Sequence, residues 1–246
     1  MGNAVVHFEV MSDGDDPSVL VDFYTELFGW TARPVSDDGA YFDIETDTTT
    51  GIAGGIGASP EGPTVTFYVA VDDVSATVRK AEELGGKAVT EPTEDAETVT
   101  IADVADPEGN VVSLVERGPL PDRVEAGGEH PVVFFEILAF DWKAARDFWT
   151  ALFGWDADDF DGYEYSVIDP IEPGIGGGIG KASKAGNLVT FYVQTPDIQD
   201  TLDRAEDLGG RTVKPIFGDP DLQEFAHFAD PSGNVIGLLT PPAPAE

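Results

Sequence analysis

His7 and Glu9 are the first residues in the chain with the makings of chemistry. They stand two apart in an apolar-rich segment, Val5 to Val10, that reads as a strand, so alternation puts them on one face with Val5. An imidazole beside a carboxylate makes an orienting pair: a base held by Glu9, or a polar anchor for a ligand. The plainer reading of His7 is a partly buried histidine bonded to a backbone carbonyl. Hydroxyl groups form the next set. Thr66 and Tyr68 share one face of a strand and Phe67 and Val69 the other, with Thr190 and Tyr192 repeating the pattern and Ser113 adding a further hydroxyl. Aromatic residues at Tyr41, Phe42, Tyr163 and Tyr165 add apolar surface, and Trp30 and Trp155 either roof a cavity or wedge a turn. Aromatic walls with a few polar anchors suit a small, partly apolar organic molecule.

Other chemistries have little to stand on. The chain has no cysteine, which removes disulfides, thiolate metal sites and cysteine nucleophiles. Its three histidines, His7, His130 and His227, lie on different segments without ligand-like spacing, and His227 reads as a packing histidine beside a turn. Asp43, Glu45 and Asp47 could catch a hard cation at the surface, as adventitious binding. The glycine-rich stretches 51–57 and 174–180 lack the Gly-Lys-Ser/Thr ending of a phosphate loop, and glycine in a strand marks close backbone approach, bending or room for a ligand. No Ser-His-Asp set or paired-carboxylate set can be placed, so no cofactor is expected.

The elements that must position these residues come from a duplication. Phe23-Tyr24 with Leu27-Phe28-Gly29-Trp30 returns as Phe148-Trp149 with Leu152-Phe153-Gly154-Trp155. Gly54-Gly55-Ile56-Gly57 returns at Gly177, Thr66-Phe67-Tyr68-Val69 at Thr190, Leu84-Gly85-Gly86 at Leu208, and Asp106-Pro107-Glu108-Gly109-Asn110 as Asp230-Pro231-Ser232-Gly233-Asn234. The offsets stay between 123 and 125, so the chain is a repeat of two halves, 1–118 and 131–242, joined by a Gly/Pro-marked linker at 119–130. Glu9 and Glu136 occupy matched positions.

Within each half a strand and helix precede further strands, twice over. Pro17 opens the first helix, with Leu20, Tyr24 and Leu27 at helical spacing. Strands are expected at 40–45, 51–58, 65–71, 99–104 and 110–115, and Val74, Val78 and Ala81 line a second helix stopped by Gly85-Gly86. Four modules result, at about 1–60, 61–118, 131–183 and 184–242. Pairing modules covers sheet edges and encloses a concave surface.

Charge describes the surroundings. With 47 acidic and 13 basic side chains in 246 residues, the formal net charge is −34. Such a field repels nucleic acids and anionic membranes, and it suits the concentrated salt of a halophile's cytoplasm, where self-repulsion is screened. Neither a transmembrane run nor a signal peptide is read from the sequence.

The chain resembles the vicinal-oxygen-chelate superfamily, the group of glyoxalase I, bleomycin-resistance proteins and extradiol dioxygenases. The resemblance rests on His7-Phe8-Glu9, Phe23-Tyr24, Phe28-Gly29-Trp30, Gly54-Gly55, Gly85-Gly86 and the Asp106 turn, with Phe134-Phe135-Glu136-Ile137, Phe148-Trp149, Phe153-Gly154-Trp155, Gly209-Gly210 and the Asp230 turn in the second half. It implies an α+β fold of four βαβββ modules pairing into two cup-shaped mixed-sheet domains. It also implies four metal-ligand positions per cup. These fall at His7 and Phe134, at Thr66 and Thr190, at Ser113 and Gly237, and near Gly54 or Gly55 and Gly177 or Gly178. One possible ligand of four survives in the first half and none in the second, which points to metal-independent binding of a small organic ligand by Thr66, Tyr68, Ser113, Tyr41, Trp30, Glu136, Thr190 and Tyr192, with the first half the functional one. Two other readings stay open: a lyase or isomerase using His7 and Glu9 or a displaced metal, and a structural protein with filled cups. Single-copy relatives commonly dimerise, so the fused halves are expected to leave a monomer or weak homodimer.

Overall fold

In a computed structural model of the chain, the described residues are 2–14, 16–35, 39–46, 50–94, 99–118, 129–219 and 223–242. Residues 119–128 of the expected linker, and Asp47, lie outside them. The first half runs β1 (Val5–Asp13), α1 (Ser18–Phe28), β2 (Thr31–Pro34), β3 (Tyr41–Glu45), β4 (Gly54–Ser59), β5 (Thr64–Val71), α2 (Val74–Glu83), β6 (Lys87–Ala88), β7 (Thr93–Glu94), β8 (Thr100–Ala105) and β9 (Val111–Glu116). The second runs β10 (Val132–Ala139), α3 (Trp142–Phe153), β11 (Ala157–Asp159), β12 (Tyr165–Ile168), β13 (Gly176–Lys181), β14 (Leu188–Gln194), α4 (Ile198–Asp207), β15 (Arg211–Asp219), β16 (Gln223–Ala229) and β17 (Val235–Leu239). The fold is α+β, built from four βαβββ modules as the family resemblance implied. The short strands β2, β6, β7 and β11 carry no apolar alternation and were not legible in the sequence.

Each half supplies one mixed sheet. The strand order is β2-β3-β4-β1-β5-β9-β8-β6 with β7 on β8 in the first, and β11-β12-β13-β10-β14-β17-β16-β15 in the second. β1 pairs parallel with β4 and β5 with β9, while β3–β4 and β8–β9 are antiparallel. Compact packing follows another partition. One unit is built from the second and third modules and the other from the first and fourth, the divisions falling after His7 in β1, Val65 in β5, Val133 in β10 and Val189 in β14.

The reason is visible in each unit's aromatic core. In the unit of the first and fourth modules, Phe8 lies 4.6 Å from Phe191 and Phe23 lies 6.0 Å from Phe228, ring centre to ring centre. In the other unit Phe67 meets Phe135 at 4.8 Å, and Trp155 packs on Phe135 at 5.1 Å. All but Trp155 and Phe23 are essentially sealed from solvent, and those two are also buried. Burying side chains of this size is worth roughly 1.5–3 kcal/mol each.

Two polar contacts fix the register of this packing. The Asp-Pro-x-Gly-Asn turns need glycine at Gly109 and Gly233, where φ is +90° and +98°. The aspartate of each turn is buried and accepts hydrogen bonds from its own loop: Asp230 from the backbone N–H groups of Ser232 and Asn234 and the side-chain amide of Asn234, Asp106 from Glu108 and Asn110 in the same way. The second oxygen of each then receives a donor from a first helix of the opposite half. Tyr24 Oη donates to Asp230 Oδ2 at 3.0 Å, and Trp149 Nε1 donates to Asp106 Oδ2 at 3.2 Å. Basic side chains repeat the pairing: Lys80 of α2 donates to the carbonyl of Leu152 on α3, and Arg204 of α4 to that of Glu26 on α1.

Burial raises the Asp230 pKa, opposed by its hydrogen bonds, Tyr24's among them. Tyr24→Phe should therefore destabilise the protein by about 1–3 kcal/mol at pH 8, where the carboxylate is charged and loses a donor. The loss should shrink toward pH 4, because the folded state takes up a proton at Asp230 before the unfolded chain does. Denaturant unfolding of both proteins at the two pH values checks this, and an equal loss at both would contradict it.

Candidate functional site

Alternation along the central strands separates a core face from an opposite face. Phe8, Phe67, Val69, Phe191 and Val193 are buried on the core side, so His7, Glu9, Thr66, Tyr68, Thr190 and Tyr192 share the other parity. The structure thus brings the sequence-predicted residues to the strand faces opposite the aromatic cores. Trp30 is the exception. Its indole lies in the core against Phe8, Tyr24 and Phe28, and its N–H donates to the carbonyl of His130 at 2.9 Å. Trp155 does the same toward Asn3 at 2.6 Å. Both tryptophans act as wedges behind the sheet, which leaves Trp30 no ligand-facing surface.

In the unit of the second and third modules, Tyr68, Ser113 and Asp103 stand in one row across β5, β9 and β8. Ser113 Oγ donates to Asp103 Oδ1 at 2.6 Å, and Thr90 Oγ1 donates to Asp103 Oδ2 at 3.0 Å. Because the one Ser113 proton goes to Asp103, the 3.2 Å contact between Thr66 Oγ1 and Ser113 Oγ is a donation from Thr66. The His7 ring meets Tyr68 edge-on, 5.4 Å between centres. Enclosure of the imidazole lowers its pKa to about 4, so it is neutral at pH 7. The same unit holds Glu136, which accepts from Tyr165 Oη at 3.0 Å. Burial and the Glu136 charge push the Tyr165 phenol well up, which keeps it a donor.

In the unit of the first and fourth modules, Glu9 accepts from Tyr41 Oη at 2.9 Å, the counterpart of Glu136 and Tyr165. This repeated pair explains the glycine stretches. A Cβ at Gly55 would fall 1.8 Å from Tyr41 Oη, and one at Gly178 would fall 2.1 Å from Tyr165 Oη. Gly55 and Gly57 of β4 and Gly178 and Gly180 of β13 therefore make room for a tyrosine ring from the neighbouring strand, while Gly54 and Gly177 make room for Phe8 and Phe135. Thr190, fully buried, donates to the carbonyl of Val235 at 2.7 Å. Tyr192 lies flat over Gly237, where a Cβ would come within 2.3 Å of its ring, and its hydroxyl is 2.7 Å from His227 Nε2. Burial, then the nearby Lys214 charge, lowers the His227 pKa to about 4.

Asp103 goes unmarked in the sequence, and His227 reads there only as a packing histidine. They are 124 apart, the spacing of the repeat, and each faces Gly237 or Ser113 in register. Carrying the repeat offset onto the strand before each Asp-Pro turn would have paired them.

A chelated metal does not fit this donor set. The strand positions that the resemblance assigns to ligands hold His7, Thr66 and Ser113 in one half and Phe134, Thr190 and Gly237 in the other. Neutral hydroxyls are weak ligands beside imidazole and carboxylate, and among the described residues no three His, Asp or Glu side chains stand close enough to share an ion.

Two outcomes are expected. Gly178→Ala should cost about 2–3 kcal/mol of stability by displacing Tyr165 from Glu136, and under about 1 kcal/mol in a Tyr165→Ala background; additive losses in denaturant unfolding would refute the packing account. Because His227 is neutral when folded, the chain should lose about 3 kcal/mol at this residue between pH 7 and pH 4 as the unfolded imidazole takes up its proton first. Comparing His227→Gln with the parent across that range should show a shallower decline for the variant.

Known proteins match most of the chain in sequence or in fold. The Anthracycline biosynthesis protein DnrV of Streptomyces peucetius is 30% identical over 243 residues, covering 89% of this chain and 86% of its own. The Mn(II)-bound glyoxalase from Novosphingobium aromaticivorans superposes with a TM-score of 0.66 at 13% identity, over 97% of this chain and 82% of its own. A variant of homoprotocatechuate 2,3-dioxygenase from B. fuscum gives 0.68 at 14% identity, over 98% and 72%. At these identities the two structures share the fold alone. The glyoxalase-like domain family matches residues 9–115 and again 133–239, so the chain belongs to that family and carries its domain twice in tandem.

Proposed function

We propose that the chain binds a small, partly apolar organic molecule on the strand face that carries His7, Thr66, Tyr68 and Ser113, without a chelated metal. The carrying observation is the bonded row Thr66–Ser113–Asp103. Hydroxyls stand where the superfamily resemblance would put metal ligands, and they are oriented by Asp103. Beside them Tyr68 and His7 supply an aromatic surface that keeps some exposure to solvent, whereas Tyr192 in the second half is pressed onto Gly237. This contrast supports the first half as the functional one. A ligand resting on Tyr68 would meet an apolar ring beside a neutral imidazole. The relative named for anthracycline biosynthesis makes an anthracycline the first compound to test.

A second reading gains support from His7. An imidazole with a pKa of about 4 is unprotonated across the physiological range, as a lyase or isomerase base must be. It is a weak base, which favours binding over proton abstraction. Glu9 and Glu136 are each engaged by a tyrosine hydroxyl and serve as supports for β3 and β12 in this reading.

The surroundings are part of the proposal. A chain of net charge −34 is suited to a cytoplasm of concentrated salt, as a monomer or weak homodimer that avoids nucleic acid. Among the described residues no helix is long and apolar enough to cross a membrane.

Two measurements test this. Protein isolated without chelator or metal-affinity steps should hold substoichiometric metal by elemental mass spectrometry and still bind ligand; Tyr68→Phe and Ser113→Ala should each weaken calorimetric affinity by about 2- to 12-fold. A stoichiometric metal needed for binding would end the metal-free reading. The midpoint of thermal unfolding should rise between low and molar KCl as the Debye length shrinks toward about 3 Å; a fall would remove the halophilic reading.

A further inference from the structure

An aspartate followed by glycine can close on the backbone, because glycine has no Cβ to bar its amide nitrogen from the aspartyl side chain. The chain has this pair three times, at Asp13-Gly14, Asp38-Gly39 and Asp161-Gly162. Asp38 lies outside the described residues. The fold treats the other two differently. Asp13 ends β1 opposite Ser59 of β4, and the Gly14 N–H donates to the Ser59 carbonyl at 3.2 Å. That amide is held in the sheet.

Asp161-Gly162 stands at the tip of the β11–β12 hairpin. The Phe160 N–H donates to the Tyr165 carbonyl at 2.9 Å, and the Tyr163 N–H donates to the Phe160 carbonyl at 3.0 Å. These bonds close a turn with Asp161 and Gly162 at its two central positions, where Gly162 has a φ of +84°. Both residues are exposed. Among the described residues neither the Gly162 N–H nor the Asp161 carboxylate has a partner. The sides of the hairpin, by contrast, are fastened. Arg146 pairs with Asp159 at 2.7 Å, Ser166 donates to Asp159 at 2.6 Å, and Lys181 pairs with Glu164 at 2.6 Å. A change at the tip can therefore occur while the stem of the hairpin stays in place.

We propose that Asp161 is a modification site at which the folded protein forms a succinimide and then isoaspartate without an enzyme. The Gly162 nitrogen attacks Cγ of the protonated Asp161 carboxyl. The N–Cγ bond forms, the Cγ–OH bond breaks, and the hydroxyl leaves with the amide proton as water. A second water opens the ring at one of its two carbonyls. Opening at Cγ restores aspartate. Opening at the backbone carbonyl leaves the chain running through Cβ and Cγ, with the former main-chain carbonyl now a free carboxylate. Mass and charge return to their starting values. The backbone has gained one methylene inside the turn that Phe160 and Tyr163 close. The site takes no ligand and stands apart from the binding reading.

The test is incubation of the full chain, folded in concentrated KCl at mildly acid pH. Peptide mass spectrometry with chromatographic separation of aspartyl and isoaspartyl forms then assigns each site. Methylation by protein isoaspartyl methyltransferase with labelled S-adenosylmethionine counts the total. Isoaspartate should accumulate at Asp161 about tenfold faster than at Asp13, the equivalent of one backbone hydrogen bond of about 1.4 kcal/mol at Gly14. In denaturant the two sites should draw level, since the Gly14 N–H is then released from the sheet. Asp161→Glu should abolish the product at this site, because closure would need a larger ring, and should leave the rate at Asp13 unchanged. Equal rates at the two sites in the folded chain, a tenfold difference that persists in denaturant, or no isoaspartate at Asp161 would each overturn the proposal.

Discussion

A buried aspartate that still wants a donor is the constraint on which each compact unit depends. Asp230 and Asp106 are tied down by the backbone and the asparagine of their own turns, and burial leaves the second oxygen of each with room for one more donor that cannot be water. Tyr24 and Trp149 supply it. Both donors sit on the first helix of a half, and both aspartates close the end of a half. The bond can therefore form only when the first module packs with the fourth and the second with the third. The aromatic cores follow the same pairing, with Phe8 against Phe191 and Phe67 against Phe135. Duplication made this possible, since the two kinds of donor and the two turns come from one ancestral pattern.

The strand faces opposite these cores are shaped by another recurring rule: where a strand gives up its side chain, a ring takes the space. Tyr41 covers Gly55, Tyr165 covers Gly178, and Tyr192 covers Gly237. The first two rings are then fixed by a carboxylate and the third by an imidazole. Tyr68 is the one member of the matched tyrosine pair opposite a serine, and its ring turns edge-on to His7. Tyr68 keeps some exposure, whereas Tyr192, over Gly237 and bonded to His227, is buried.

Chemistry diverged where the fold did not. At the positions that could carry metal ligands the chain holds hydroxyls, an apolar ring or no side chain, with His7 as the remaining imidazole. The first half surrounds its row with Asp103 and hydroxyls, the second with Lys214 and aromatic rings. Two faces of one ancestry thereby carry different chemistry.

The repeat, the module count, the long strands and the helices were legible in the sequence, because duplication keeps a constant offset and backbone geometry imposes apolar periodicity. So were the parity of His7, Glu9, Thr66 and Tyr68 and the choice of β4 and β13 as glycine strands. The short strands β2, β6, β7 and β11 were not, since edge strands need no apolar face. Nor was the placement of Trp30 in the core, which depends on which side of the sheet its turn packs. The partner of each tyrosine was also hidden: Tyr41 finds Glu9 and Tyr192 finds His227 through cross-strand register, and register is set by tertiary pairing. The sequence determined what groups were on hand and which of them share a strand face. Only the tertiary structure decided which of them meet, because a hydrogen bond between strands far apart in the chain is fixed by packing and not by spacing.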